Sequence, residues 1–379
     1  MEGKKKISAL IIFYPIVLLV FVTLVIPLFR SWFVFVGLRW LYILLFSISL
    51  SYALTPVMRW IALRYDIIDI PDQRKIHSEA TPLLGGLAII ISFSASLMAN
   101  MLFDKEVLVL LSTGVIVGVV GALDDCKGLS ARVKLLVQVI LVLILVHSGI
   151  VLHLLPAKTW WGFSCNVILT VIWIVGLTNA MNFFDGMDGL ATGLSGIIAI
   201  FMGIVAFQTD QPFMGWIAIA MLGSCLGFFP YNFRLKSPAA IYLGDAGSTF
   251  LGFVLSALAV KGDWAENSRI VAFATPTLIF WVLIFDMGYI TVERVITGKV
   301  RTIKEWIDYV GKDHLHHRLY NLLGDKRKAV LTIFLLSAIL GLSSIVLRNA
   351  RMIDGILLVL QAFILVSVIS VIENASRRN

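Results

Sequence analysis

Charged side chains are scarce in this chain: they make up 14% of its 379 residues, whereas soluble domains carry about 25%. Hydrophobic residues account for 59%. This balance excludes an ordinary soluble protein and indicates a polytopic membrane protein. The formal net charge of +8 is typical of basic cytoplasmic loops in such a protein. We therefore expect a bilayer as its environment and no nucleic-acid partner.

Cysteine is also rare. The chain has three cysteines, Cys126, Cys165 and Cys225, and they are scattered without metal-ligand spacing. This pattern excludes a disulfide framework and a cysteine zinc site, and we interpret these residues as small apolar packing groups. The sequence also lacks the inverted internal repeat found in many transporters.

Long apolar runs dominate what is present. A helix of about 20 apolar residues spans a bilayer, and the chain offers about twelve such runs. We predict an all-α, polytopic transmembrane helical bundle of about 11–12 spans, forming one integral membrane domain over 1–379. The parts are an uncleaved extra span at 7–28, a main bundle at 36–347 containing the loop 293–328, and a last span at 354–372. Within the main bundle, the predicted spans are 36–63, 84–103, 107–123, 133–152, 166–182, 189–207, 213–231, 246–260, 270–292 and 329–347.

The orientation follows from the basic residues, which concentrate in alternate loops as expected for cytoplasmic segments. Arg348 and Arg351 oppose this bias. Twelve spans would leave both termini in the cytoplasm. The segments assigned to the cytoplasmic face are 64–83, 124–132, 179–189, 232–245 and 293–328. They carry the polar motifs, so we expect a site that faces the cytoplasm.

An acidic run follows one of the predicted spans. The run begins at Asn179, and its Asn182, Asp185 and Asp188 recur every third residue, among glycines and without a local basic partner. On a helix they would share roughly one face. Carboxylates beside a membrane span usually mark function, and these oxygens suit a hard cation or a metal bound to phosphate. The alternative is a polar helix end closed by glycine.

Two adjacent carboxylates, Asp124 and Asp125, end another apolar span, with Lys127 and Lys134 nearby. Closely spaced like charges raise one pKa, so one of the pair could relay a proton. The lysines could bind phosphate. The alternative is a solvated helix end paired with Lys127.

A third acidic position, Asp245, lies between glycines at the start of a span, after Asn232 and Tyr242. Free amides at a helix N-terminus favour anions, and a neighbouring carboxylate can carry a metal. Simple N-capping by Asp245 or Ser248 is the alternative.

Two basic segments complete the set. The first contains Arg74, Lys75 and His77, which could hold phosphate or could serve only membrane topology. The second contains three histidines and an arginine, for which we favour anion binding over zinc. Its residues are His314, His316, His317 and Arg318.

Asp286 differs from these groups because it lies inside an apolar span. It could relay protons, or it could be a buried hydrogen-bond partner between helices. We favour the structural role.

Taken together, the five polar segments resemble the polyprenyl-phosphate N-acetylhexosamine-1-phosphate transferase superfamily over roughly residues 36 to 347. The resemblance implies transfer of a sugar 1-phosphate from a UDP-N-acetylhexosamine to polyprenyl (undecaprenyl) phosphate, with UMP leaving. It also implies a requirement for Mg²⁺, with Mn²⁺ as a possible substitute, and a bacterial inner-membrane location. The oligomeric state stays open, a homodimer included.

The run His314-Leu315-His316-His317 differs from the three consecutive histidines of the phospho-N-acetylmuramoyl-pentapeptide transferases. It resembles the branch that begins O-antigen, common antigen or teichoic acid with UDP-GlcNAc. The pentapeptide transferase is therefore the nearer alternative, and a transporter or flippase is the alternative of a different class. Leu84 departs from the family, which often has an arginine before the paired glycines.

Residue roles are implied by matching to the family. Asp245 would be the main Mg²⁺ ligand, with Asn232 nearby. Asp124 would orient the acceptor, with a base role as the rival, and Asp125 lies beside it. The remaining roles are nucleotide or metal binding by Asn179, Asn182, Asp185 and Asp188; phosphate binding by Arg74, Lys75, His77, Lys127 and Lys134; uracil stacking by Tyr242; and sugar-phosphate binding by His314, His316, His317 and Arg318.

Overall fold

The computed structural model describes residues 8–69, 80–102, 104–265, 268–309, 311 and 313–376, and its architecture is almost entirely helical. The prediction of an all-α bundle is confirmed. The helices are α1 (Ser8–Val25), α2 (Pro27–Phe35), α3 (Arg39–Arg64), α4 (Gly85–Ala99), α5 (Lys105–Lys127), α6 (Ala131–Ser148), α7 (Trp160–Phe184), α8 (Leu190–Gln208), α9 (Pro212–Asn232), α10 (Gly244–Lys261), α11 (Arg269–Ile279), α12 (Trp281–Ile296), α13 (Ile303–Asp308), α14 (Leu315–Leu323), α15 (Lys326–Ile345) and α16 (Met352–Ser376), with a 3₁₀ turn at Val346–Asn349 and two short strands, β1 (Ile68–Asp69) and β2 (Thr81–Pro82).

Fewer helices meet the length and apolarity needed to cross a membrane than the predicted 11–12 spans. Within the described ranges, seven helices qualify, or up to nine if each of two bent pairs counts as one span. Every predicted span does coincide with helix. The shortfall has a local cause in two places: α4 has only 15 residues, and α10 begins with the polar turn around Asp245.

The bent pairs correct two predicted boundaries. The stretch 270–292 is two helices, α11 and α12, which meet at 81°. Pro276 lies in the last turn of α11, where its ring removes a backbone donor and weakens the helix. The first span also breaks: α1 and α2 meet at 77°, with Pro27 at the first position of α2, a position that favours proline.

Small residues bring the central helices close together. A Cβ atom on Gly227 of α9 would lie 2.4 Å from the Ile48 carbonyl oxygen of α3, and one on Gly223 would lie 2.7 Å from Ser47 Cβ. Ser92 Oγ of α4 donates to Ser224 Oγ at 2.6 Å. Small and hydroxyl side chains of this kind are the usual contacts between membrane helices. The result is a tightly packed core from which α5, α7 and α9 all run to one end of the bundle.

That end is tied together by backbone contacts between distant segments. The strands β1 and β2 pair antiparallel, and Tyr242 N donates to Pro82 O at 2.8 Å. Gly85 N and Gly86 N donate to the carbonyls of Tyr242 and Leu243 at 3.0 and 2.8 Å. A Cβ atom on Gly86 would lie 2.2 Å from Gly247 N, so only glycine permits this approach. The start of α10 is therefore fixed against α4.

Candidate active site

A cavity of about 440 Å³ opens where α5, α7 and α9 end and α10 begins. Its wall is strongly acidic, because six aspartates from different segments converge on it. The cavity brings together motifs that are far apart in the chain. The lining side chains that concern us are Asp69, Asp124, Asp125, Asp185, Asp188, Asp245, Asn232, Tyr242, His317 and Lys326.

Lys134 of α6 connects two of these carboxylates. Its ammonium group pairs with Asp124 and lies 2.8 Å from Asp245 Oδ2. Asp124 also accepts a hydrogen bond from the Leu129 amide, so both of its oxygens are engaged. The three side chains are 12–30% exposed, which weakens screening by water. The arrangement is a half-buried triad in which one cation neutralises part of the acidic wall.

Asp125 makes different contacts from the adjacent Asp124. Its two oxygens accept from the Asp245 and Ala246 amides at 2.9 and 3.1 Å. These are first-turn amides of α10, so Asp125 caps that helix from another helix. Gly244, with φ of +73°, lies so close that a Cβ atom there would be 2.6 Å from Asp125 Oδ2. Asp125 thus sets the position of Asp245 in the cavity.

The acidic run after α7 forms the cavity floor. Asp185 is the residue that ends α7. Burial raises its pKa well above the usual value, and the nearby carboxylates of Asp245, Asp125 and Asp188 raise it further. Asp188 accepts from the Ala239 amide at 2.9 Å. Such a concentration of negative charge favours a bound cation or a retained proton.

The asparagines divide into cavity and non-cavity positions. Asn182 Nδ2 donates to Asp245 Oδ1 at 3.0 Å and to Ser248 Oγ at 2.9 Å, so it orients the carboxylate. Asn232 lines the cavity, but Thr192 donates to its amide oxygen at 2.9 Å. Asn179 donates to Gln138 at 2.7 Å on α6. The structure therefore gives Asn179 a helix-packing partner, and its predicted substrate contact stays a prediction.

A second cavity, of about 330 Å³, adjoins the first and is lined by three aromatic side chains, three basic side chains and two aspartates. Met187, Asp188, Tyr242 and Lys326 line both cavities. Burial raises the pKa of Tyr242 to about 12, so the phenol stays protonated and can donate a hydrogen bond. The side chains specific to the second cavity include Phe233, Arg234, Tyr320 and Arg327.

The histidine segment contributes one side chain to the acidic cavity, His317. Its neighbours lie deeper: His314, His316 and Arg318 are at most 5% exposed. The His316 ring is 4.2 Å from that of His317, between ring centroids. Burial, together with His317 and His314, lowers the pKa of His316 well below its usual value, so His316 is neutral at pH 7. Their predicted contact with a sugar phosphate is untested.

Several predicted residues fall elsewhere. Arg74, Lys75 and His77 lie outside the described residues. Lys127 is exposed at the end of α5. Two further polar residues, Asp69 and Lys326, line the cavity although the sequence did not assign them to the site. A signal for Lys326 did exist, because Asp325 caps α15 and so places the following lysine at an ordered helix start.

The donor chemistry suits a magnesium ion that is shared with a substrate. In the part of the chain that the structure describes, no three histidine, cysteine or acidic side chains converge as a ready metal site. Mg²⁺ is usually held by one or two carboxylates together with substrate phosphates. The carboxylates of Asp245 and Asp185 are hard oxygen donors on one cavity, and the amide oxygen of Asn232 has a second lone pair besides the one that accepts from Thr192. They fit such a shared ion, although they do not form a closed cage.

Comparison with known proteins finds a family match over the part of the chain that contains most of the cavity aspartates. The model of the family described as Glycosyl transferase family 4 matches residues 107–263, which include the Asp124 pair, the acidic run and Asp245. A probable undecaprenyl-phosphate N-acetylglucosaminyl 1-phosphate transferase of Bacillus subtilis is 34% identical over 306 residues, covering 78% of this chain and 82% of the relative.

Of two further relatives, one matches over a longer stretch of the chain and the other over a shorter one. A decaprenyl-phosphate N-acetylglucosaminephosphotransferase of Mycobacterium tuberculosis is 30% identical over 339 residues, or 80% of this chain and 81% of the relative. A phospho-N-acetylmuramoyl-pentapeptide-transferase of Staphylococcus epidermidis is 31% identical over 238 residues, or 57% of this chain and 73% of the relative.

Proposed function

Because this chain belongs to glycosyl transferase family 4, within the polyprenyl-phosphate N-acetylhexosamine-1-phosphate transferase superfamily, we propose that it transfers N-acetylglucosamine 1-phosphate from UDP-GlcNAc to undecaprenyl phosphate. UMP leaves, and the reaction requires Mg²⁺. This would be the first membrane step of a cell-surface glycan such as O-antigen, common antigen or teichoic acid. The observation that carries the proposal is the pair of adjoining cavities, one lined mainly by aspartates and the other richer in basic and aromatic side chains.

The two cavities match the two parts of a nucleotide sugar. The acidic cavity, whose Asp245 pairs with Lys134, suits a diphosphate that arrives with a divalent cation. The second cavity offers Arg234 and Arg327 for negative charge and Tyr242 for stacking on a base. Tyr242 and Asp188 line both, so a ligand that spans the cavities would pass between them.

Asp245 and Asp185 would hold the Mg²⁺, with Asn232 as a further oxygen donor. When bound, the ion would neutralise charge on the diphosphate and on the departing UMP. Asn182 would keep Asp245 oriented, since it donates to Oδ1. Lys134, which now pairs with Asp245, would be available to a phosphate once the ion neutralises that carboxylate.

We assign Asp124 to positioning. Its oxygens already accept from Lys134 and Leu129, and a phosphate monoester has a second pKa near 6, so the acceptor is largely dianionic at pH 7. A strong base is therefore not needed. Activity of Asp124→Asn that is absent at pH 6 and substantially recovered at pH 9 would instead support a base role.

The lipid acceptor explains why the site lies at the ends of membrane helices. A polyprenyl tail must stay in the bilayer while its phosphate meets a water-soluble donor. Helices α5, α7 and α9 are apolar along their length and end at the cavity. We place this end of the bundle at the cytoplasmic face of the bacterial inner membrane, since the loops around it are basic.

The pentapeptide transferase is the second candidate, because a relative of that name matches 57% of the chain. The interrupted run His314-Leu315-His316-His317 argues against it. A flippase would need ionisable groups near the bilayer midplane, and the aspartates around the cavity lie at helix ends instead.

The test is UMP release by the purified protein with undecaprenyl phosphate and a panel of UDP-sugars. We expect release with UDP-GlcNAc, its loss on chelation by EDTA, and its return with Mg²⁺ or, more weakly, Mn²⁺. Preference for UDP-N-acetylmuramoyl-pentapeptide would support the second candidate. Release with none of the donors would refute the proposal.

A further inference from the structure

Asp286 is the one carboxylate buried on α12, and it faces the histidine segment. It is 0% exposed. Its Oδ2 lies 2.7 Å from His314 Nδ1, and its Oδ1 accepts from the Leu315 amide at 2.7 Å. Arg318 is 3.8 Å from Oδ1 and stacks over the ring of Tyr289 at 4.1 Å. Three residues of the segment, His314, Leu315 and Arg318, thus contact the Asp286 side chain.

These contacts make Asp286 the cap of helix α14. Leu315 is the first residue of α14, and its N-cap residue, His314, supplies no side-chain hydrogen bond of its own. A carboxylate at this end satisfies a free amide and interacts well with the helix dipole. The tautomer of His314 that carries its hydrogen on Nδ1 can donate to Asp286 Oδ2. Asp286 therefore determines where α14 starts and favours the Nδ1–H tautomer of His314.

A second ion pair from α12 holds Asp313, the residue just before His314. Arg294 donates to both oxygens of Asp313, at 2.7 Å each, and stacks over Tyr309 at 4.4 Å. Burial raises the pKa of Asp313, but the hydrogen bonds and charge of Arg294, together with smaller local contributions, bring it below its usual value. Two parallel hydrogen bonds fix the geometry as well as the distance.

The two pairs have opposite polarity along α12. On α12, the acidic Asp286 comes about 12 Å, or eight residues, before the basic Arg294. On the docked segment the order of charge is reversed, because the acidic Asp313 comes before His314 and Arg318. Only one direction of docking satisfies both pairs. The docked segment presses on the cavity, since a Cβ atom on Gly186 would lie 2.7 Å from His316 Nε2, and its next residue, His317, lines the wall.

We propose that Asp286 and Arg294 are positioning residues that hold α14 against the acidic turn at 185–189 and thereby set His317 in the acidic cavity. Neither residue lines that cavity. They act on turnover through the placement of His317 and Asp185, and this role rests on the proposed transferase function. Sub-ångström placement matters here, because a shift of about 1 Å in an active site can lower the rate by about 10²-fold.

The test uses two substitutions of full-length protein in detergent or nanodiscs. Asp286→Asn keeps the shape but offers one acceptor where two donors converge. Arg294→Lys keeps the charge but loses the two-pronged contact. We expect kcat for UMP release to fall about 10- to 100-fold in each, with KM for UDP-GlcNAc changed less than about threefold, because uniform substrate binding is not touched.

Matched controls exist at an exposed ion pair. Asp354 and Arg351 pair at 3.3 Å, with Arg351 82% exposed. Asp354→Asn and Arg351→Lys repeat the same chemical changes, and we expect wild-type kcat. A thermal unfolding curve for each variant separates loss of turnover from loss of folded protein.

A second readout needs no substrate. The chain has six histidines, so selective ¹⁵N-histidine labelling can follow the His314 ring, with the signal assigned by its loss in His314→Gln. We expect Nδ1–H in the wild type and its loss in Asp286→Asn. If the wild type releases no UMP, the proposed function fails, while this readout still tests whether Asp286 holds His314.

Near-wild-type kcat in both folded variants would overturn the proposal. So would an unchanged His314 signal in Asp286→Asn, or a kcat loss fully matched by the loss of folded protein.

Discussion

The approach of α5 to α10 gives the sharpest prediction, because it can be perturbed by one methyl group. In Gly121→Ala, the new Cβ would lie 2.4 Å from the Asp245 carbonyl oxygen, 2.6 Å from its carbonyl carbon and 2.7 Å from Ala246 Cα. Normal contacts between such atoms are about 3.5 Å. All three atoms are backbone, so they cannot move aside separately, and the helices must separate by about 1 Å.

That displacement acts directly on the acidic cavity. Asp124 and Asp125 follow Gly121 by one turn of α5, and Asp125 caps α10 through the Asp245 amide at 2.9 Å. A separation of about 1 Å would lengthen this contact and shift Asp245 relative to Lys134. We expect kcat for UMP release to fall about 10²-fold.

Gly118→Ala is the matched control on the same helix and interface. Its Cβ would meet Ile90 Cδ1 at 2.5 Å, the end of a flexible side chain, while the next contact, to the Ala246 carbonyl oxygen, is 3.5 Å. We expect activity near the wild type and equal or higher thermal stability, because alanine favours a helix over glycine by about 1 kcal/mol. Wild-type kcat in Gly121→Ala, or equal loss in both variants, would refute the reasoning.

Three other predictions follow from single side chains. Lys134→Gln leaves Asp124 and Asp245 without their cation, so kcat/KM for UDP-GlcNAc should fall at least about 10²-fold; activity above about a tenth of wild type would contradict the assignment. Asp245→Ala should weaken or abolish the Mg²⁺ dependence of UMP release, whereas unchanged Mg²⁺ kinetics would remove Asp245 as a metal ligand. His316 stays neutral when folded and takes a proton when unfolded below a pH of about 6.5, so thermal stability should fall as the pH drops from 7 to 5. His316→Phe should flatten that fall, and parallel stability curves would speak against it.

The parts that could be predicted from sequence are those that depend on local pattern. Apolar runs predicted helices at every span, and the acidic run, the Asp124 pair and Asp245 do converge on one cavity. Carboxylates next to apolar helices need partners, which made these positions conspicuous. The same reasoning identified Asp286 as a buried hydrogen-bond partner, and the structure supplies the partner, His314.

What could not be predicted depends on contacts between distant segments. Asn179 has the same spacing as Asn182, but Gln138 of a neighbouring helix receives its hydrogen bond. His314 and Arg318 look like free cations in a loop, yet α12 buries both. The break in 270–292 also needed tertiary context, because a proline in an apolar helix can either kink it or be tolerated.

Roles within the acidic cavity show the same limit. Adjacent Asp124 and Asp125 look equivalent in sequence, but one binds Lys134 and the other caps α10. Successive side chains point in different directions on a helix, and only the packed neighbours decide what each meets. Lys326 was not predicted for the same reason. It reaches the cavity because α14 and α15 pack against each other there.

The most direct measurement follows the β-phosphate of the donor. Purified protein is incubated with undecaprenyl phosphate, Mg²⁺ and UDP-GlcNAc labelled with ³²P at the β position, and the lipid and aqueous phases are separated. Transfer of sugar 1-phosphate predicts label in the lipid phase, equal amounts of UMP in water, and loss of both on chelation. Label that stays in water as UDP, with sugar alone on the lipid, or no lipid product from any UDP-N-acetylhexosamine, would contradict the account.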